Sequence, residues 1–210
     1  GSNPVVFDRG RSIGTTLVGW PSEHVVKCLV AYHPDDVIDR RLENEAQIEA
    51  LCEATAASGH ELLLEIIPPR GLPRAPDTVL RALKRLYNLG FMPEWWKLEA
   101  MDPAEWRAID ALIAERDPHC RGVLILGQAG DVATLAQGFR DARDSGSCRG
   151  FAVGRTIFHA PAREWLAGEI DDEGFKARAR ATFEALIDAW HRSRTGVGFE
   201  SDPVSDRAAR

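Results

Sequence analysis

Lysine is scarce in this chain, with four residues against 22 arginines in 210. Long apolar runs are missing too. None approaches the roughly 18 residues a membrane-crossing helix needs, so no transmembrane span and no membrane partner are expected. The first residues, Gly1-Ser2-Asn3-Pro4-Val5, carry neither a basic nor an apolar leader, and no secretory signal is read there. The four cysteines, Cys28, Cys52, Cys120 and Cys148, form no C-x-x-C, which argues against a metal site or a disulfide framework. A reducing cytoplasm is the simplest setting for them. His24, His60, His119, His159 and His191 show no metal-ligand spacing. Blocks of one charge are absent as well. The net charge is −6, and arginines are interleaved with acids, so nucleic acid is not the expected main partner. Local arginine clusters still suit small phosphorylated ligands.

What is present is an ordinary globular composition, 44% apolar and 28% charged, long enough for one sizeable core. Residues 1–23 read as irregular. After them a short apolar run and a longer amphipathic stretch repeat. The apolar runs are Val25–His33, Glu61–Ile67, Trp95–Ala100, Gly122–Leu126 and Gly150–Val153. Helices are expected around 39–57, from Pro76-Asp77 to Gly90, after Asp102-Pro103, from Asp131 to about Asp144, and over roughly 171–194. The tail from Thr195 to Arg210 is polar and expected to be disordered.

Five βα units in alternation predict an α/β fold with a parallel sheet, and the near-continuous apolar runs fit strands covered on both faces. A TIM-type (β/α) barrel and an open doubly wound sheet both satisfy the pattern. Two observations favour the barrel. The unusual polar residues lie in or at the C-terminal ends of several strands, where barrel enzymes place their sites. The first strand-to-helix turn also lacks a G-x-G-x-x-G. Eight βα units normally take about 250 residues. Only five are seen here, so either residues 1–23 hold further structure or the chain is the C-terminal part of a longer barrel.

The scarce lysines stand out against this frame. Lys84 and Lys176 sit on charged, helix-like stretches. Lys27 and Lys97 sit inside apolar, strand-like runs. Burying an ammonium is costly, and a desolvated lysine is what Schiff-base chemistry needs, since only the neutral amine attacks a carbonyl. Residues two apart on a strand share a face. That rule groups Lys27, Leu29, Ala31 and His33; Glu61, Leu63, Glu65 and Ile67; and Trp95, Lys97 and Glu99. Neighbouring strands lie about 4.8 Å apart, so Lys27, Glu65 and Lys97 are expected to converge in one interior. Two amines beside a carboxylate match the needs of imine formation and proton shuttling. The same pattern also describes a structural Lys–Glu ion pair that stitches strands together. Glu99 reads as a salt-bridge partner.

The last two strands end in Gly127-Gln128-Ala129-Gly130 and Gly154-Arg155. Small residues admit a phosphate to backbone N–H groups, a helix N-terminus adds partial positive charge, and Arg155 would add a clamp. Tight turns with a surface arginine give the same spacing. His33 ends the first strand on the Lys27 face and suits either a substrate contact or a cap. Trp95-Trp96, Trp106, Trp165 and Trp190 read as packing residues.

Five segments carry a family resemblance: Val26–Asp36, Glu61–Ile67, Trp95–Glu99, Asp117–Val123 and Gly150–Phe158. They resemble an aldolase-like domain found C-terminal to the sugar kinase 5-dehydro-2-deoxygluconokinase of bacterial myo-inositol catabolism. More distantly they are similar to class I tagatose bisphosphate aldolases. The resemblance implies that Lys97 is the Schiff-base lysine, Lys27 a second active-site lysine, and Glu65 an acid/base carboxylate. It places Gly127, Gln128, Gly154 and Arg155 at the phosphate end, and it implies that residues 1–194 are an aldolase-like domain made of the last five βα units of an eight-unit barrel. It implies cleavage of 2-deoxy-5-keto-gluconate 6-phosphate to dihydroxyacetone phosphate and malonate semialdehyde, with no metal or organic cofactor. Implied partners are the phosphorylated sugar acid and a fused or upstream kinase domain, in a homo-oligomer. The open alternative is a non-catalytic sugar-phosphate-binding or assembly domain attached to that kinase.

Overall fold

The structure is a computed structural model that describes residues 4–7, 12–128 and 130–195. Five strands are present among them: β1 (Val26–Ala31), β2 (Leu62–Ile67), β3 (Trp95–Leu98), β4 (Gly122–Leu126) and β5 (Cys148–Ala152). A short helix α1 (Ile13–Leu17) precedes them. The strands are followed in turn by α2 (Ile38–Ser58), α3 (Thr78–Asn88), α4 (Pro103–Arg116), α5 (Val132–Asp141) and α6 (Arg155–Leu166), and α7 (Asp172–Thr195) closes the series. Residues 196–210, most of the expected tail, lie outside the described residues.

All strand pairs are parallel, and the strands lie side by side in chain order. A doubly wound sheet reverses its order at a switch point. This sheet has no reversal, so its winding is that of a (β/α) barrel, seen here as an arc of five consecutive units with β1 and β5 at its edges.

Burial separates the two faces. Val30, Leu64, Ile66, Trp96, Leu98, Val123 and Ile125 are fully buried beneath the helices, in one core with Ile48, Leu83, Leu86, Trp106, Ile109 and Phe139. The alternate residues, Lys27, Leu29, Glu65, Lys97 and Leu124, occupy the opposite face, which would be the inside of a barrel. That face is less covered: Leu29 is 45% exposed.

Local chemistry sets the element ends. Gly59 terminates α2 in the left-handed region at φ 73°, where only glycine is free of a Cβ penalty. Asp102 caps α4 by accepting from the Ala104 and Glu105 amides, while the Glu105 side chain accepts from the Asp102 amide, completing a capping box ahead of Pro103. Two elements differ from the sequence-based expectation. α1 lies in the stretch read as irregular. α6 lies directly after the Gly154-Arg155 turn, where no helix was expected. In the fold Pro161 is buried inside α6, which packs along α7.

A buried ion pair joins the first two units. The Tyr32 hydroxyl donates to Glu45 Oε1 (2.6 Å), Arg85 Nε donates to the same oxygen (2.6 Å), and Arg85 Nη2 donates to Oε2 (2.8 Å). Burial by itself would raise the Glu45 carboxyl, but the hydrogen bonds from Arg85 and Tyr32 outweigh it and hold the group below its ordinary value of 4.5. A carboxyl lowered in the folded state stabilises above its unfolded value and loses that contribution as pH falls through the folded one. Glu45→Gln is therefore expected to lower stability near neutral pH. The loss should be about 2–3 kcal/mol, less than for a fully buried pair because the Arg85 side chain is 35% exposed. Urea melts across pH 3–7 check this: the gap between wild type and variant should narrow as pH falls below 4.5 toward the lowered folded-state value. A gap that persists unchanged at low pH would show that the charge is not its source.

Candidate active site

The register explains how the strands gather the charged groups. Glu65 pairs directly with Lys97 across β2 and β3. Lys27 pairs with Leu63, one two-residue step before Glu65, and its longer side chain spans the diagonal. Both amines reach the same atom. Lys27 Nζ lies 2.5 Å from Glu65 Oε2, and Lys97 Nζ donates to that oxygen at 3.2 Å. The Glu65 side chain is 6% exposed and that of Lys97 16%, whereas that of Lys27 is 43% exposed. The expectation of two buried lysines thus holds for Lys97 and fails for Lys27. β1 is an edge strand, and no described strand screens its outer side.

A cavity of about 280 Å³ opens on this cluster and runs toward the C-terminal ends of the strands. Its lining includes Lys27, Glu65 and Lys97 at one side and Gly127, Gln128, Gly154 and Arg155 at the other. The two turns touch. A Cβ at position 127 would meet Val153 Cγ1 at 2.8 Å and Thr156 Oγ1 at 3.1 Å, so the close approach requires glycine there. The Thr156 hydroxyl donates to the Gly130 carbonyl (2.9 Å) and ties the turns together. Gly154 is the N-cap of α6, and no side chain caps that end. Arg155 has no ion-pair partner among the described residues. Three cations (Lys27, Lys97, Arg155) and one carboxylate (Glu65) face the cavity, an excess of positive charge in a chain of net charge −6. Among the described residues no group of His, Cys, Asp and Glu could hold a metal ion.

Residues 1–194 match a family model described as "Uncharacterized protein conserved in bacteria (DUF2090)". The chain belongs to this family. No curated protein matches it. Among solved structures it is similar to the 3-keto-D-glucoside 4-epimerase YcjR from E. coli in its apo form, at 21% identity, covering 87% of each chain with a TM-score of 0.36.

The remaining sequence-derived candidates fall outside the cavity. His33 does not line it. The Asp35 amide donates to His33 Nδ1 (3.1 Å), which leaves Nε2 as the protonated nitrogen that donates to the Pro73 carbonyl (2.9 Å). β1 ends at Ala31, so strand alternation no longer applies at His33, and the imidazole pins two loops together instead. Trp96 is core, its Nε1 donating to the Tyr87 hydroxyl (2.7 Å), and Trp95 Nε1 donates to Glu61 Oε2 (2.8 Å). Trp165 packs on Phe175 of α7, with ring centroids 6.0 Å apart, and not on the sheet. Burial disfavours the nucleophilic thiolate at the cysteines. Burial raises all four, Cys52, Cys120 and Cys148 to about 11.

One contact at the cavity rim escaped the sequence reading. Glu99, expected in a salt bridge, faces Arg74 (Nε to Oε2, 3.5 Å) and also accepts a hydrogen bond from Gln128 Nε2. Gln128 carries the one positive φ of a non-glycine among the described residues, 43°. Arg74 comes from the loop after β2 and has no periodic or motif signal. Only the fold brings it to Glu99.

The energetics of the central cluster are separable by a double-mutant cycle. Glu65→Gln leaves the Lys97 amine poorly hydrated without its counter-charge, and a loss of about 2–4 kcal/mol is expected. Adding Lys97→Met should recover part of it, giving a coupling of about 1–3 kcal/mol. The coupling to the half-exposed Lys27 should stay below about 1 kcal/mol. Chemical denaturation of the four variants in each cycle measures both. Strict additivity for Glu65 and Lys97 would show that their contact carries no energy.

Proposed function

We propose that the cavity carries out class I aldol cleavage of a phosphorylated keto sugar acid. The observation that carries this reading is the shared oxygen: a mostly buried lysine amine stands 3.2 Å from a buried carboxylate, at one side of a cationic cavity. The family resemblance of the strand segments supports the same chemistry. It suggests 2-deoxy-5-keto-gluconate 6-phosphate as substrate, within myo-inositol catabolism, in a domain that works beside a 5-dehydro-2-deoxygluconokinase.

Each step has a group suited to it. The neutral amine of Lys97 adds to the substrate ketone, and loss of water gives an iminium ion. Glu65 is within reach to take up and return the protons of that step. A base then removes the proton of the hydroxyl two carbons from the imine carbon. The bond between that hydroxyl-bearing carbon and the carbon next to the imine carbon breaks, an aldehyde leaves, and the electron pair moves toward the iminium to give an enamine. Protonation of the enamine carbon and hydrolysis release dihydroxyacetone phosphate and restore Lys97. Lys27 holds the Glu65 carboxylate in place and offers a cation to the substrate's own carboxylate. Gly127, Gln128, Gly154 and the uncapped start of α6 suit a phosphate group, with Arg155 as a clamp.

A binding-only reading keeps the same cavity without turnover, as in a sugar-phosphate sensor or assembly domain attached to the kinase. The exposure of Lys27 favours it, because a reactive imine is best kept from water.

Borohydride trapping decides between the two readings. Incubating the full chain with dihydroxyacetone phosphate and sodium borohydride should fix one adduct on Lys97, located by peptide mass spectrometry. Lys97→Met should remove the adduct and any turnover while leaving the melting profile cooperative. Binding of the ketose phosphate with Lys97 unmodified would sink the aldolase reading and leave the binding domain.

A further inference from the structure

A second cationic depression lies on the outer layer, between the β1–α2 turn and α3. It has a volume of about 440 Å³ and is lined by Pro34, Asp35, Arg41, Arg81, Lys84, Arg85, Asn88 and Leu89. None of these residues lines the candidate active site. Four cations and one carboxylate meet there. Arg85 is neutralised from behind by Glu45 (2.6 Å), and Arg81 Nη1 donates to Asp35 Oδ2 (2.9 Å) in a two-point contact.

The other two cations are not neutralised. Arg41 spends Nη1 on the Pro34 carbonyl (2.6 Å), which carries no formal charge, and its Nε is buried without a hydrogen-bond partner. A buried donor left unmade costs about 1–3 kcal/mol, so such a group calls for an explanation. Lys84 has no ion-pair partner among the described residues. It is also one of the four lysines in a chain that otherwise uses arginine for its positive charge. The local field is visible at Asp35, whose carboxyl is held below its ordinary value by the Arg81 hydrogen bond first, with the charges of Arg81 and Arg41 adding. An excess of two positive charges thus stands in one depression of an acidic protein.

We infer that this depression is a binding site for a small molecule bearing a phosphoryl or pyrophosphoryl group. The unspent Nη2 of Arg41 and the Lys84 ammonium match the oxygens of a phosphoryl group. The Asn88 amide at the rim adds a neutral donor. The depression is open and shallow, which suits a headgroup held by its charge, with the rest of the ligand in solvent. The inference does not rest on the aldolase reading.

Isothermal titration of the full chain with pyrophosphate at low ionic strength tests it. Saturable binding is expected in wild type and in Arg155→Ala, where the candidate active site has lost its clamp. Lys84→Glu should weaken that binding about ten-fold or more, the scale of one charge-assisted hydrogen bond. Lys84 is exposed on α3, so the variant should melt as wild type does. Asn88→Glu, which places a carboxylate at the same rim, must weaken binding in the same direction. The inference is overturned if wild type binds no pyrophosphate, or if Arg155→Ala abolishes binding that both Lys84→Glu and Asn88→Glu leave intact.

Discussion

One carboxylate oxygen organises the inner face of this sheet. Glu65 Oε2 stands 2.5 Å from Lys27 Nζ and 3.2 Å from Lys97 Nζ, so a single atom holds two ammonium-bearing side chains from two flanking strands. A carboxylate as buried as Glu65 is tolerated only with such compensation. The mostly buried Lys97 would be costly there without Glu65, and the half-exposed Lys27 much less so. The arrangement needs three adjacent parallel strands in one register. A one-residue slip of β2 would turn Glu65 into the helix-covered core and present Leu64 or Ile66 to the lysines. The cluster therefore acts as a register lock as well as a candidate reaction centre.

The two faces of the sheet divide the work. The helix-covered face is apolar and closely packed, and Trp96, Trp106 and Phe139 are its largest fully buried side chains apart from Tyr32. Glu45, buried among the helices, is satisfied by Tyr32 and Arg85, so its charge there is structural. The inner face gathers charge that is only partly neutralised. That contrast is why the inner face, and not the better packed one, is where a ligand would gain most from binding. It also explains the glycine at position 127. The turns after β4 and β5 must lie in contact for the cavity to have a floor, and a methyl group there would separate them.

The sequence was most legible where periodicity and termination signals agree. Strand alternation in Val26–Ala31, Leu62–Ile67 and Trp95–Leu98 placed Lys27, Glu65 and Lys97 on one face, as the register has them. The Asp102-Pro103 start and the Gly59 and Gly90 stops were equally readable. The failures share a cause: local rules were carried past the point where tertiary packing decides. Alternation put His33 on the Lys27 face, but β1 ends at Ala31 and the imidazole turns to the Pro73 carbonyl. No helix was read after Gly154-Arg155, whereas packing along α7 holds α6 there. The exposure of Lys27 follows from β1 lying at the edge of the five-strand arc, which its strand-like apolar run alone does not show. The contact between Arg74 and Glu99 joins two loops that no sequence spacing relates.

Burial and resemblance bear independently on which lysine would react. Imine formation needs a neutral amine, and a site that withholds water favours it while slowing hydrolysis of the product imine. The side chain of Lys97 is 16% exposed, whereas that of Lys27 is 43% exposed. Lys97 pairs squarely with the carboxylate that would relay its protons, while Lys27 reaches the same oxygen from a diagonal position at the sheet edge. On geometry alone, then, Lys97 is the better nucleophile and Lys27 the better anchor for the carboxylate and for an anionic substrate. The family resemblance assigns the same roles from strand segments, with no knowledge of exposure. A structural ion pair would need only one lysine to neutralise Glu65. The second amine, converging on the same oxygen beside a cavity already rich in positive charge, is what a stabilising role leaves unexplained and an anionic ligand would account for.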